Sequence, residues 1–253
     1  SADKPRRFTF LLLDRFTMLP FAAAIEPLRL ANRAAGKTLF EWRLIGPGGD
    51  VAVCSNGARV ELDGGLDAEI AFGRDDVVIL CGGIGIARVA TKPVLNWLRK
   101  QARSGAGIGA VCTGAYVLAK YGLLDGFRCT IHWENIPSFR EEFPNIDITM
   151  DIYEIDRTRW TCAGGTAALD MMLRFIAEQG GVALARKVAE VSLHPEIRAG
   201  KNAQRHDRRC DQLQRHAGGE HGFAVLGLDN YELVGVQIRK IVEELDDHPR
   251  KSE

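Results

Sequence analysis

The chain has 253 residues, 46% of them apolar, with 33 basic and 33 acidic side chains and so no formal net charge. That apolar content supports a sizeable core and excludes a largely disordered chain, and the balanced charge excludes the strongly basic profile of a dedicated nucleic-acid binder. No apolar run approaches the ~18 residues of a membrane span, and the opening SADKPRRF lacks the apolar core of a signal peptide. The six cysteines form no C-x-x-C pair, which speaks against a zinc motif or a disulfide framework. A reduced, cytoplasmic protein without metal or cofactor is expected.

In chain order, FTFLLLD (Phe8 to Asp14) is an apolar run of strand length. LPFAAAIEPLRLANRAAG then reads as a helix with Ile25, Leu28, Leu30 and Ala31 on its apolar face and Gly36 as its stop. FEWRLIG is a second strand, and VAVCSNGARVEL reads as two short strands about a Ser-Asn-Gly turn. DDVVILCGG is a buried-type strand ending on Gly82-Gly83, followed by a helix from Pro93 to Gly105. AGIGAV and TGAYVLAKYGLL make the next strand and helix, CTIHW a short strand, and IPSFREEFP a helical turn. ITMDIYEID and RWTCAGG form a predicted hairpin about Arg157-Thr158, and two helices come after it, broken at Gly180-Gly181.

Strands thus alternate with helices up to about residue 190, and the inner strands are continuous apolar runs, as a parallel sheet covered on both faces requires. The predicted fold is α/β and doubly wound, with its site at the carboxyl ends of the strands. Near His194 the composition turns polar, and Leu233, Val236, Ile238, Ile241, Val242 and Leu245 later recur at close to helical spacing. The expected organisation is a domain over 1–195, a polar linker over 196–222 and an amphipathic helical tail over 223–253. Arg205, His206, Arg208, Arg209 and Arg215 offer charge to phosphate, but nothing beside them reads bases, and a solvated linker is the preferred reading.

The stretch that bears on chemistry is GIGAVCTGAYVLAKYGLLDG, Gly107 to Gly126. A strand that stops at Cys112 and becomes a helix holds the thiol over unpaired backbone N–H groups, which favour thiolate. Gly109, Ala110, Gly114 and Ala115 permit the tight turn. The other cysteines are read as packing, the commonest role of a free cysteine. His132, at the end of CTIHW, is the one histidine inside the strand–helix pattern; it is either a surface side chain beside Trp133 or a pocket residue.

These residues carry a resemblance. GAVCTGAYVLAKYGLLDGFRCTIHWE and RWTCAGGTAALDMML resemble the PfpI-like, class I glutamine-amidotransferase-like superfamily. More narrowly, EPLRLANRAAGKTLFEWRLIG, SNG, CGG and HWE resemble the amidase-like sensor domain of AraC-type transcription regulators of the GlxA kind. The resemblance implies a flavodoxin-like sheet, a homodimer, a nucleophile elbow at Cys112 faced by His132, and a small-molecule effector. Arginine, glycine betaine and carnitine are effectors of that group, and a C-terminal helix-turn-helix domain binds promoter DNA.

The sequence departs from the superfamily in two places. Its enzymes place an acid after the first strand, beside the cysteine, whereas Arg15 to Ala24 contains none and Glu26 lies further along the helix. Without that acid, general acid–base help of ~10²–10⁴-fold is missing, so enzymatic activity is not favoured. Secondly, the stretch beyond Gly200 is too short for two helix-turn-helix motifs, so promoter DNA is expected as a partner only through a domain this chain lacks.

The same architecture still makes a binding site. Backbone amides of Thr113 and Gly114 and of the Gly82-Gly83 turn are expected to hold a carboxylate. Phe16, Phe21 and Trp133 are expected to meet a cation through their faces, or else to be core, and Glu134 to supply a counter-charge. Three readings remain: a ligand-sensing domain of a regulator; a cysteine-dependent hydrolase, isocyanide hydratase or glyoxalase-like enzyme using Cys112 and His132; and a dimeric interaction domain with an occluded site.

Overall fold

A computed structural model describes residues 4–68 and 72–204. The first strand, β1 (Arg6–Leu12), leads into α1 (Met18–Ala35), closed by Gly36 in the left-handed conformation at φ 65°. β2 (Phe40–Gly46), the antiparallel pair β3 (Val51–Val53) and β4 (Arg59–Glu61), and the two-residue β5 (Gly64–Gly65) come next. Then come β6 (Val77–Cys81), α2 (Ile86–Val89), α3 (Lys92–Arg103), β7 (Gly107–Val111) and α4 (Gly114–Lys120). β8 (Arg128–Cys129), a 3₁₀ turn (Trp133–Asn135), α5 (Ile136–Glu142) and β9 (Asp147–Ile148) lead to the hairpin β10 (Tyr153–Asp156) and β11 (Arg159–Cys162). The last described helices are α6 (Ala167–Gly180) and α7 (Val182–Val191).

The central sheet has the order β10-β11-β7-β6-β1-β2-β5. Every pairing in it is parallel except β10 with β11. Its strands show the period-2 logic of a sheet covered on both sides. Phe8, Phe10 and Leu12 of β1 and Val77, Ile79 and Cys81 of β6 point to the layer of α1, α6 and α7. Leu11 and Leu13, with Val78 and Leu80, point to the layer of α3, α4 and α5. On α3, Val94, Trp97, Leu98 and Gln101 are buried at helical spacing. Each fully buried Phe or Leu of these layers contributes on the order of 2 kcal/mol. The fold is the doubly wound, flavodoxin-like α/β arrangement expected from the sequence.

Three local expectations change. CTIHW is not one strand: β8 ends at Cys129 and pairs only with β9, leaving His132 to cap the 3₁₀ turn. ITMDIYEID likewise splits into β9 and β10. The polar stretch from His194, expected to begin a linker at residue 196, is docked on the domain as far as Gln204. Ile152 N–H is shared between the carbonyls of Gly200 (3.0 Å) and Asn202 (2.9 Å), and Asp151 bridges Ala203. Backbone hydrogen bonds together with polar side-chain bonds from His194, Arg198 and Gln204, not apolar burial, hold this segment, which is why its composition resembles a linker. The basic cluster from Arg205 and the expected C-terminal amphipathic helix fall outside the described residues.

Candidate functional site

Cys112 sits at the carboxyl end of β7 with φ 59°, a left-handed backbone that a side-chain-bearing residue rarely adopts. Such a conformation costs about 1–2 kcal/mol and persists only where the surroundings impose it. Here Cys112 N–H is pinned to the Cys162 carbonyl (3.1 Å) on neighbouring β11. Gly164, at φ 99°, lies so close that a Cβ there would stand 3.1 Å from Cys112 Cβ. Gly114 is pressed onto β6, where a Cβ would meet the Leu80 carbonyl at 2.7 Å.

The loop after β1 is stitched to the same corner. Thr17 N–H donates to Gly82 O (3.1 Å) and Ile84 N–H to Arg15 O (3.2 Å). Thr17 is the N-cap of α1, yet its hydroxyl makes no capping bond. It lies instead 3.8 Å from Cys112 Sγ, within hydrogen-bond range for sulfur. Thr17 thus occupies the neighbourhood where enzymes of the resembled superfamily place an acid. Glu26 is out on the surface, paired with Arg29 at 2.6 Å.

Burial pushes the Cys112 thiol above its ordinary value. The Thr17 hydroxyl and the Thr113 amide pull it back, and the negative charge of Glu134 adds to the rise. The expectation that the helix N-terminus favours thiolate is therefore corrected: desolvation outweighs the amides of a helix of seven residues. Burial lowers the His132 imidazole, while Glu134, with Oε2 3.6 Å from Nδ1, raises it. A neutral thiol and a neutral imidazole result at pH 7. Among the described residues no hydrogen bond joins His132 to Cys112, and the acid that the thiol senses, Glu134, acts by charge rather than by contact.

The residues read as ligand contacts divide in two. Cys112 retains 8% exposure, Thr113 beside it is half-buried, and His132, Trp133 and Glu134 are half-buried in the turn after β8. The His132 and Trp133 rings lie 5.7 Å apart. Phe16 and Phe21 belong to the core instead: they are 0% and 6% exposed, packed edge to face at 5.4 Å. Gly82, Gly83 and Gly114 are buried and serve close approach of backbone. A Cβ on Gly82 would strike the Gly114 nitrogen, and one on Gly83 the Arg15 carbonyl. Gly82 N–H is already donated to Val111 O (3.4 Å), and the Thr113 hydroxyl to Gly83 O (2.8 Å). Cys54, Cys81, Cys129 and Cys162 are buried, as packing residues are, and Cys210 lies outside the described residues.

Sequence reasoning missed Thr17, Gly164 and a buried carboxylate, Asp170. On α6, Asp170 is 0% exposed and holds His194 Nε2 (2.7 Å), Arg198 N–H (2.8 Å) and the Arg198 guanidinium (2.6 and 2.9 Å). The signal available was a lone acid in the apolar run ALDMML. Among the described residues no group of three or more His, Cys, Asp or Glu could hold a metal ion, and no helix is long and apolar enough to cross a membrane.

Fold and site together define a class: doubly wound α/β domains that carry a cysteine on a strained strand-to-helix elbow. The chain belongs to the DJ-1/PfpI family, whose pattern it matches over residues 7–178. It is 41% identical over 204 residues to the HTH-type transcriptional regulator GbdR of Pseudomonas aeruginosa (strain UCBPP-PA14), covering 81% of this chain and 54% of that protein. It is 38% identical over 193 residues to the HTH-type transcriptional regulator GlxA of Rhizobium meliloti (strain 1021), covering 76% of this chain and 59% of that protein. The crystal structure of an AraC family transcriptional regulator from Pseudomonas putida superposes with a TM-score of 0.66 at 29% identity, over 74% of this chain and 100% of that one. The chain spans a little more than half the length of the curated relatives it matches.

Proposed function

We propose that this chain is the ligand-sensing part of a transcription regulator and that it takes a small metabolite at the Cys112 elbow. The observation that carries the reading is the neighbour of Sγ: a threonine hydroxyl stands where a proton-relaying acid would be needed, and the thiol is buried and neutral. A thiol in that state is a weak nucleophile and a serviceable floor for a pocket.

The ligand class is set by the groups left within reach. Thr113 and the Cys112 thiol offer polar contacts at the floor, and the Trp133 face with the Glu134 carboxylate suits a cationic group at the rim. An amino acid or quaternary-ammonium zwitterion such as arginine, glycine betaine or carnitine meets both. The likeness to HTH-type regulators supports a sensing role, with promoter DNA engaged through a separate DNA-binding domain and a homodimer as the working unit.

The test is calorimetric titration of the purified chain with a panel of amino acids, betaines and simple amines. At least one zwitterion is expected to bind, and Glu134→Ala is expected to weaken it at least tenfold, the loss of roughly 1.4 kcal/mol of charge–charge interaction. No binding by any panel member, together with a turnover that disappears in Cys112→Ser, overturns the reading in favour of an enzyme.

A further inference from the structure

Gly164 packs against Cys112 and Glu134 acts on its thiol by charge, and the chain beside each of these two rims is fastened to one short stretch. The first rim is the Gly164-Gly165 turn, of which Gly164 is in contact with Cys112. Two residues beyond Gly164, Thr166 Oγ1 accepts a hydrogen bond from Arg198 Nη2 at 2.7 Å. The same guanidinium grips Asp170, which is fully buried and so has no water to exchange for it. The second rim is the turn beginning at His132. The carbonyl just before it, Ile131 O, accepts from Gln204 Nε2 at 2.9 Å, and that amide also reaches Thr130 Oγ1 (2.9 Å) and Asp151 O (3.0 Å).

Between these ends the stretch is laid directly on the domain. Gly200 lies so close that a Cβ there would stand 2.7 Å from Tyr153 O. Gln204 N–H donates to Met150 O at 3.0 Å. Ile152 completes the circuit: its N–H is held by Gly200 and Asn202, and its carbonyl takes the N–H of Ala163, one residue before Gly164.

We propose that residues 198–204 form a strap that couples the two rims of the Cys112 site to each other. This rests on the reading of Cys112 as the floor of a ligand site. A molecule entering between Gly164-Gly165 and the His132–Glu134 turn alters the distance between the rims. Because Arg198 and Gln204 are bonded one to each, that change is transmitted to the strap. Coupling of this kind is reciprocal: whatever loosens the strap loosens the rims.

The test needs no ligand, so its failure is separate from the failure of the metabolite panel. Backbone hydrogen exchange is measured on the full chain and on Arg198→Gln and Gln204→Ala. Two reporters are read, Ala167 N–H (to Gly164 O, 3.1 Å) beside the first rim and Asn135 N–H (to His132 O, 2.8 Å) in the second. Each substitution is expected to speed exchange at the reporter of the opposite rim by about tenfold, with α1 amides unchanged. A purely local anchor moves only the reporter at its own end. If Gln204→Ala leaves Ala167 unchanged and Arg198→Gln leaves Asn135 unchanged, the strap does not couple the rims. Arg198→Lys and Gln204→Asn, which keep the charge and the amide, are read in the same way should either first variant fail to fold.

Discussion

Thr17 Oγ1 lies 3.8 Å from Cys112 Sγ across 95 positions of sequence. An N-cap hydroxyl ordinarily turns back on its own helix. This one does not; it faces the thiol instead. A hydroxyl can share a hydrogen bond with sulfur but cannot accept and return a proton near neutral pH.

Removing that hydroxyl moves the thiol in a defined direction. The Thr17 hydroxyl stabilises the thiolate, so Thr17→Val pushes the Cys112 thiol further above its ordinary value. Alkylation by iodoacetamide at pH 8, measured in a Cys210→Ser background, is expected to slow about three- to tenfold, the worth of one hydrogen bond. An unchanged rate means that the contact does not act on the sulfur.

Glu134→Gln acts in the opposite sense on Cys112. Its negative charge raises the thiol and also raises the His132 imidazole. Without the charge, the alkylation-rate profile of Cys112 shifts to lower pH, and the His132 titration followed by NMR shifts to lower pH as well. A shift of the profile to higher pH would show that Glu134 is not the charge the thiol senses.

The buried thiols make the fold sensitive to alkali. Burial pushes Cys129 and Cys162 up to about 12, and Cys81 and Cys112 are raised too. Because the folded state holds these protons more tightly than the unfolded chain, their stabilisation is complete below the ordinary thiol range near pH 8.5. It is lost as pH rises toward the folded-state values, by up to about 1.4 kcal/mol per pH unit for one thiol. The urea midpoint is expected to fall between pH 8.5 and 10.5, less steeply in Cys129→Ala and Cys162→Ala. A flat profile over that range contradicts the account.

Asp170 is a buried carboxylate on which several partners converge. Asp170→Ala strips both Arg198 and His194 of their partner and is expected to destabilise by on the order of 3–5 kcal/mol, as loss of one member of a buried ion pair does. Arg198→Ala costs less, because His194 remains on the carboxylate. Chemical denaturation of the two variants gives the order, and a reversed order refutes the assignment of Asp170 as the hub.

The elements that could be read in the chain are those whose signal is local. Helix α1 is legible from its apolar spacing and the left-handed stop at Gly36, and β6 and β7 from unbroken apolar runs ending in small residues. Strand β5 and helix α2 carry too few residues to show a period. CTIHW has strand composition throughout but finds a ladder partner only at Cys129, because the two residues of β9 pair with Arg128 and Cys129 and offer no more. The aromatics Phe16 and Phe21 were ambiguous by type, and their packing against one another and Phe10 assigned them to the core.

By itself, the sequence determined the alternation of strand and helix, the doubly wound class and the strand-to-helix junction at Cys112. Each depends on backbone propensity and periodicity within a few residues. The tertiary structure alone decided that Thr17 meets the sulfur, that desolvation keeps the thiol protonated, and that Asp170 and Gln204 draw the polar segment after His194 back onto the domain. Those outcomes come from distance and dielectric between groups remote in the chain, quantities that no local pattern encodes.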